Sequence, residues 1–492
     1  MASDLEKAAD PQKLRRIAIE PISRVEGHGK VTILLDDNNK VHQVRLHIVE
    51  FRGFERFIQG RPYWEVPVMV QRLCGICPVS HHLAASKALD HIVGSPRVPA
   101  TADAIRRLMH YGQILQSHAL HFFHLSSPDL LFGFESDPRH RNIVGVLTDY
   151  PDIGRQGILL RKFGQEVIRI TAGKRVHGTG SIPGGVNKRV SPQERDELLS
   201  PLPQILDWAQ QGVRLIAALY ARNRDLYDHF GHVPSNLLSL VARDGTLDLY
   251  DGVLRARDAT GQIIFDGIEP SEYHGLFREN VRSWSYMKFP FIKSLGAENG
   301  WYKVGPLARV QNCDAIGTPL AEAARQELRS ISPSPLLHAP LLFHWARMIE
   351  LLHAAEVIAR LLADPVLLGD SLVGSGPRAG SGVGIIEAPR GTLIHHYEVD
   401  SHDLVTMCNL IVSTTHNNQA MNEAIRQVAR QYLDGHEPTE GLLNHIEVAI
   451  RAFDPCLSCA THALGKMPLW VEIIDAQGEV VQRLVRDGEC LE

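Results

Sequence analysis

The chain has 492 residues, 44% of them hydrophobic and 22% charged, with a formal net charge of −5. That balance is globular, gives no bulk electrostatic attraction for nucleic acid or anionic lipid, and contains no apolar run of the roughly 18 residues a membrane span needs. At roughly 150 residues per domain the length permits about three domains, or one large fold able to enclose a metal site.

Residues 1–13 are polar and charged and read as a flexible tail without the apolar core of a secretory signal. Arg15-Arg16 precedes only a short Ile-Ala-Ile, so a cytoplasmic location is expected. Residues 30–49 place two β-branched runs around Asp36-Asp37-Asn38-Asn39 and predict a β-hairpin within an N-terminal β region, 14–60. A helical stretch, 61–240, follows. Ile105, Leu108, Ile114, Leu115 and Leu120 recur at helical spacing over 102–125, and 193–223 shows a similar pattern. Residues 241–305 read as a β-containing insertion. Asp244-Gly245, Asp251-Gly252 and Asp266-Gly267 are its expected turns. The part from 306 to 462 is again helical, with patterns at 340–363, 416–433 and 440–452, and a Gly/Ser-rich loop is expected at 371–384. Beyond Met467, residues 469–474 and 479–485 flank Asp475-Ala476-Gln477-Gly478 as another hairpin.

Seven cysteines in a chain this long argue against a disulfide framework. Cys313, Cys408 and Cys490 stand alone and read as structural thiols. The other four form two pairs, Arg72-Leu73-Cys74-Gly75-Ile76-Cys77-Pro78-Val79-Ser80-His81 and Asp454-Pro455-Cys456-Leu457-Ser458-Cys459-Ala460-Thr461-His462. Two intervening residues let both sulfurs of a pair converge on one ion, and paired thiolates select zinc, iron–sulfur, nickel or copper(I). A structural zinc site of four cysteines usually keeps its halves within about 20 residues. Here nearly the whole chain lies between them, so any shared site must close the entire fold.

Both motifs resemble the signatures of the nickel–iron hydrogenase large subunit. Further stretches match that family: Arg24-Val25-Glu26-Gly27-His28, Phe51-Arg52-Gly53-Phe54-Glu55, His121-Phe122-Phe123-His124-Leu125 and Glu387-Ala388-Pro389-Arg390-Gly391. The stretches around Phe51, Trp284–Pro290 and Leu393–Tyr397 are most similar to its cytoplasmic, NAD-linked bidirectional branch. The resemblance implies a mainly α fold with small β elements (α+β), a long-helix body with N-terminal and mid-chain hairpins, and one catalytic unit over 14–462.

It also implies roles for particular residues. Cys74 and Cys456 would be terminal thiolates on nickel. Cys77 and Cys459 would bridge to an iron bearing CO and cyanide. Glu26 would carry the proton of heterolytic H2 cleavage, with the Cys456 thiolate as first base. Arg390, following Pro389, would place its guanidinium above the open metal position, with Asp454 and Asp129 beside it. Ser413 would donate to a cyanide and His81 to a bridging sulfur, whereas His82 reads as a helix-packing residue. Glu55 and His462, with a carbonyl near Asn409, would hold Mg2+. The alternative for Glu55 is a local pair with Arg52 or Arg56.

In the family the mature chain often ends at the position of His462. Residues 463–492 would then be a precursor extension, removed by a maturation endopeptidase after metallochaperones deliver nickel. The sequence lacks a dinucleotide-binding Gly-x-Gly-x-x-Gly between a strand and a helix, because Pro377 interrupts Gly374–Gly380. It also lacks spare cysteines for an iron–sulfur cluster. Electrons from H2, which is interconverted with H+, would therefore leave through an iron–sulfur small subunit and, in the NAD-linked branch, diaphorase subunits carrying FMN. Two other readings stand beside this one: a respiratory complex I-type subunit of the same fold, which lacks the four cysteines, and a scaffold with structural zinc.

Overall fold

The computed structural model describes residues 4–461, 469–474 and 480–486. The predicted hairpin is present as strands Gly29–Leu35 and Val41–Ile48, and Arg15–Ile19 adds a third antiparallel strand. Residues 5–8 pack against the body, while 9–13 are exposed. Leu5 and Ala8 are buried, the Ala8 amide donates to Gln43 Oε1 at 3.2 Å, and Arg45 Nε donates to the Glu6 carbonyl at 2.9 Å.

The body is built from long helices. Leu342–Ala363 is apolar on nearly every side and is buried along most of its length, as expected of a helix surrounded by others. Ala100–Leu120 packs along Pro151–Ala172. Their closeness depends on glycine: a Cβ on Gly164 would lie 2.6 Å from the Gly112 carbonyl oxygen, and one on Gly157 would lie 2.3 Å from Phe123 Cβ. The helix predicted over 102–125 stays α-helical to Leu120 and widens into a π turn, His121–Ser126. The segment 193–223 is two helices, Pro192–Leu199 and Leu202–Arg222, because Pro201 cannot supply an N–H to a continuous ladder. A Ser191–Glu194 capping box starts the first of them.

The mid-chain insertion contains a sheet in the spatial order Tyr302–Lys303, Asn236–Val241, Val253–Arg257, Ile263–Ile268. Asp266-Gly267 is not one of its turns; it lies inside the last strand, where the register shifts. The loop expected at 371–384 ends earlier, because Ser381 begins a strand. Ser381–Ala388, Gly391–Val399 and Val405–Ile411 form a largely buried antiparallel sheet against helix Pro78–Ile92. Pairing of Ala388 with Gly391 leaves Pro389-Arg390 as a two-residue turn at its inner end. Strands Leu469–Ile474 and Val480–Arg486 pair as the expected C-terminal hairpin, whose turn lies outside the described residues.

Candidate metal centre

Each cysteine pair sits where backbone geometry exposes sulfur to the interior. Cys74 is extended after the short turn Val70–Leu73, and Cys77 precedes helix Pro78–Ile92. Pro78 suits that first helical position because its missing N–H has no partner there anyway. The amides of Ile76 and Cys77 both point at Cys74 Sγ, 3.2 Å away. The second pair follows helix Glu440–Ala452. Asp454, at φ 54°, turns the chain there, and the Cys456 amide donates to Thr414 Oγ1 at 2.9 Å.

The two pairs, 382 residues apart, meet. Cys74 Sγ and Cys456 Sγ are 3.2 Å apart, and Cys456 Sγ and Cys459 Sγ 2.7 Å. All four sulfurs lie within 4.8 Å of one another, and all four residues are buried. Without a cation this arrangement cannot ionise fully. Cys77 is held far below the usual thiol range by hydrogen bonds from Cys456, Cys459 and Cys74, while burial and the neighbouring sulfurs push Cys456 and Cys459 far above it. A soft divalent centre removes the conflict, because it allows all four to be thiolates.

Glu26 reaches this cluster from the N-terminal region. It forms a parallel bridge with Cys456, and its carbonyl accepts the Leu457 amide at 2.9 Å. Gly27 allows that approach: its φ is +79°, and a Cβ there would lie 2.5 Å from the Ser458 nitrogen. The Glu26 carboxylate meets Cys456 Sγ at 2.9 Å, accepts the Ser458 amide at 3.2 Å, and accepts the Ser458 hydroxyl through its other oxygen. Glu26 itself is only half-buried.

Arg390 lines a small cavity together with Cys77, His81, Pro389, Ser413 and Cys456, among others. Arg390 Nε donates to the Asp454 carbonyl at 2.6 Å and Nη2 to Asp454 Oδ1 at 3.0 Å. Burial opposes its charge, but Asp454 and the nearby sulfurs keep the guanidinium protonated, while burial lifts the Asp454 carboxyl to about 6. Arg390 Nη1 is buried without a hydrogen-bond partner among the described residues. An unspent donor beside four sulfurs suits a ligand or anion in that cavity.

Asp129 differs from the expectation. Its carboxylate is taken up by Arg24 at 2.6 Å, by Asn444 at 3.2 Å and by Arg451, with Arg141 at 3.5 Å. It anchors this arginine cluster rather than flanking Arg390, whose ion-pair partner is Asp454 alone among the described residues. The Ser413 hydroxyl donates to the Gly391 carbonyl at 2.7 Å, at the cavity edge. His81 lines the cavity beside Cys77, and its Nδ1 lies 3.1 Å from His395 Nε2. His82 ties the Pro67 carbonyl to the Ser181 amide, a packing role as expected.

Glu55 is buried at the start of helix Phe54–Ile58 and accepts the Leu410 amide at 2.7 Å. Arg52 and Arg56 bond elsewhere, to Arg72 and Gln59. Asn409 precedes Leu410, and its side chain donates to Tyr273 Oη at 2.9 Å. His462 lies outside the described residues. The Thr461 carbonyl before it accepts the Arg52 amide at 3.1 Å, three residues from Glu55. Cys313 and Cys408 are buried free thiols, with Cys313 pushed up to about 12 by burial. Cys490 lies outside the described residues.

Three structural contributors were not singled out by the sequence motifs. Ser458 and Thr414 orient Glu26 and Cys456. Arg309 reaches the Ala388 and Pro389 carbonyls at 2.6 and 3.1 Å and so fixes the turn that carries Arg390. Only the position of Ser458, between two cysteines, hinted at a role.

A family model described as nickel-dependent hydrogenase matches residues 52–132 and 257–462, more than half of the chain. The chain belongs to the nickel-dependent hydrogenases. A second model, described as HoxL-like, matches residues 16–51. The chain is 47% identical over 487 residues to the NAD-reducing hydrogenase HoxS subunit beta of Cupriavidus necator, covering 96% of this chain and 100% of that one. It is 41% identical over 477 residues to an F420-non-reducing hydrogenase subunit from Methanothermobacter thermautotrophicus, covering 95% and 100%. A crystal structure of an NAD+-reducing NiFe-hydrogenase in the H2-reduced state superposes with a TM-score of 0.90 at 58% identity, covering 91% of this chain and 99% of that one. A Ni-Fe-Se hydrogenase from Desulfovibrio vulgaris Hildenborough, 22% identical, shares the fold with a TM-score of 0.72, covering 91% and 100%. The chain is thus a hydrogenase catalytic subunit with the expected mainly helical fold, and its four-cysteine group supports a nickel–iron centre. The respiratory-subunit and zinc-scaffold readings are not favoured.

Proposed function

We propose that this chain cleaves and forms H2 at a nickel–iron centre and passes the electrons, through partner subunits, to NAD. The observation that carries the chemistry is the convergence of four buried sulfurs with one carboxylate on Cys456 and one guanidinium whose Nη1 has no partner among the described residues. The donor set fits the group: Cys74 and Cys456 would be terminal on nickel, and Cys77 and Cys459 would bridge to an iron carrying CO and cyanide. Bound there, the centre supplies Lewis acidity for heterolytic cleavage and redox capacity for two electrons.

The chain's own residues manage the proton. Cys456 Sγ is the acceptor nearest a carboxylate, so its proton passes to Glu26 over 2.9 Å. Ser458 holds that carboxylate toward sulfur through two hydrogen bonds. Because Glu26 is half-buried, the proton leaves toward the rim of the molecule. Arg390 keeps a positive charge and a donor over the cavity, and the buried walls keep bulk water out. Ser413 and the Pro389 turn would contact the iron's diatomic ligands.

A hard cation, Mg2+, would sit at Glu55 with His462 and a carbonyl near Asn409. The partners would be an iron–sulfur small subunit and flavin-bearing diaphorase subunits, as the likeness to NAD-reducing hydrogenases supports. Residues after His462 would be removed by an endopeptidase once metallochaperones have delivered nickel. A cytoplasmic location fits the free thiols at all six described cysteines, and no helix among the described residues is long and apolar enough to cross a membrane.

The test is H2-dependent NAD+ reduction by the purified complex. Cys74→Ser and Cys459→Ser should each abolish it, along with H2-dependent dye reduction. Activity retained in either variant would refute the assigned sulfur roles. Reduction of dyes but not NAD+ by the unsubstituted complex would refute the acceptor alone.

A further inference from the structure

A hydrogen-bonded row of buried side chains starts at His81, which lines the cavity beside Cys77. His81 Nδ1 lies 3.1 Å from His395 Nε2, and His395 Nδ1 lies 2.6 Å from Tyr397 Oη. His81 is on helix Pro78–Ile92. His395 and Tyr397 share one face of strand Gly391–Val399, two residues apart, and all three are almost entirely buried. Since Nδ1 of His81 is engaged by His395, its other ring nitrogen is the one left to face the small cavity that His81 lines together with Cys77.

We propose that Tyr397 and His395 are positioning residues that fix the tautomer of His81, so that it always presents an N–H to the Cys77 sulfur. Each group in the row has a fixed number of protons to give. A metal-bound thiolate has lone pairs and no proton, so Cys77 can only accept. His81 must therefore donate from Nε2, and the tautomer that does so accepts at Nδ1. His395 then donates from Nε2 and accepts at Nδ1, and the hydroxyl of Tyr397 supplies the terminal proton. Burial keeps that hydroxyl protonated, with its pKa far above the usual phenol range, so the donor is always available. With His395 in the other tautomer, a His81 lone pair would face the sulfur lone pairs, and the hydrogen bond would become a repulsion. The hydrogen bond withdraws electron density from Cys77, and hence from any metal it holds.

The proposal rests on the nickel–iron reading of the four sulfurs. It is tested by infrared spectroscopy of the complex, following the CO and cyanide bands of the iron. Absence of those bands from the unsubstituted protein defeats the nickel–iron reading before any variant is compared. With bands present, Tyr397→Phe and His395→Leu should each shift them to lower wavenumber, in the same direction as His81→Leu. In a His81→Leu background, Tyr397→Phe should add no further shift. His395→Gln, whose amide can still donate to His81, should leave the bands in place. Unshifted bands in Tyr397→Phe and His395→Leu, or a full additional shift without His81, would overturn the proposal. Failure of every variant to load nickel, His395→Gln included, would overturn it too, because it would mark the row as a structural support of the fold.

Discussion

Replacing Glu26 by glutamine isolates the proton step from the rest of the site. The two side chains have the same shape, so the amide oxygen can keep the Ser458 N–H bond now made at 3.2 Å, and the Ser458 hydroxyl can turn to accept from the new amide. The fold should lose about 1 kcal/mol or less, the net worth of one adjusted hydrogen bond. The lost function is larger. Cys456 Sγ now faces a carboxylate at 2.9 Å, and the amide cannot take a proton at all. Positioned acid–base groups contribute roughly 10²–10⁴ in rate, which corresponds to about 3–5 kcal/mol of barrier. H2-dependent dye reduction should therefore fall by about two orders of magnitude or more, with nickel content and denaturant midpoint close to the parent protein. Glu26→Asp, one methylene short of the sulfur, should fall between. A Glu26→Gln variant that keeps more than about a tenth of parental activity, well outside that range, would show that the proton leaves by another route.

Other consequences follow from the packing. Arg309 is fully buried and pairs with Glu350 at 2.5 Å and Glu387 at 3.0 Å. Arg309→Met leaves both carboxylates without their guanidinium, with His118 remaining on Glu350 and the Leu240 amide and Thr392 hydroxyl on Glu387. It should cost about 3–5 kcal/mol in guanidinium denaturation; a loss below about 1 kcal/mol, far under that range, would mean water or a rearranged cation replaces it. Gly164→Ala drives a methyl to 2.6 Å from the Gly112 carbonyl and should cost about 1–3 kcal/mol, again by denaturant midpoint, unless the two helices separate freely. Acid should destabilise the fold early. Burial holds His82, His118 and His353 down to about 4, and His110 and His416 to about 3. Their folded values lie below the unfolded 6.5, so this stability is fully present above about pH 6.5 and is lost as pH falls toward 4. Each should cost about 2 kcal/mol by pH 5. A denaturant midpoint flat from pH 7 to 5 would refute the neutral assignments.

The chemistry was more legible in the sequence than the architecture around it. Paired cysteines carry their spacing wherever the chain runs, so the four ligands could be read without knowing how the 378 residues between Cys77 and Cys456 fold. Helix Pro151–Ala172 could not be read in the same way. Gly154, Gly157 and Gly164 look like breaks in a helical pattern, yet Gly157 and Gly164 are what let it lie against its neighbour. The sheet that carries Arg390 is hidden for a different reason. Its strands are buried on both faces, so the alternation that marks a half-exposed strand is missing. Asp129 shows the limit of carrying a role by position: a carboxylate goes to the nearest cations, here Arg24 and Arg451, and those came from segments no local pattern connects.

The most direct measurement is the metal content of the isolated, processed chain taken together with its infrared spectrum. The account predicts about one nickel and one iron per chain, in keeping with two terminal and two bridging thiolates, and bands from CO and cyanide. Zinc alone with no such bands would contradict it and return the four cysteines to a structural role.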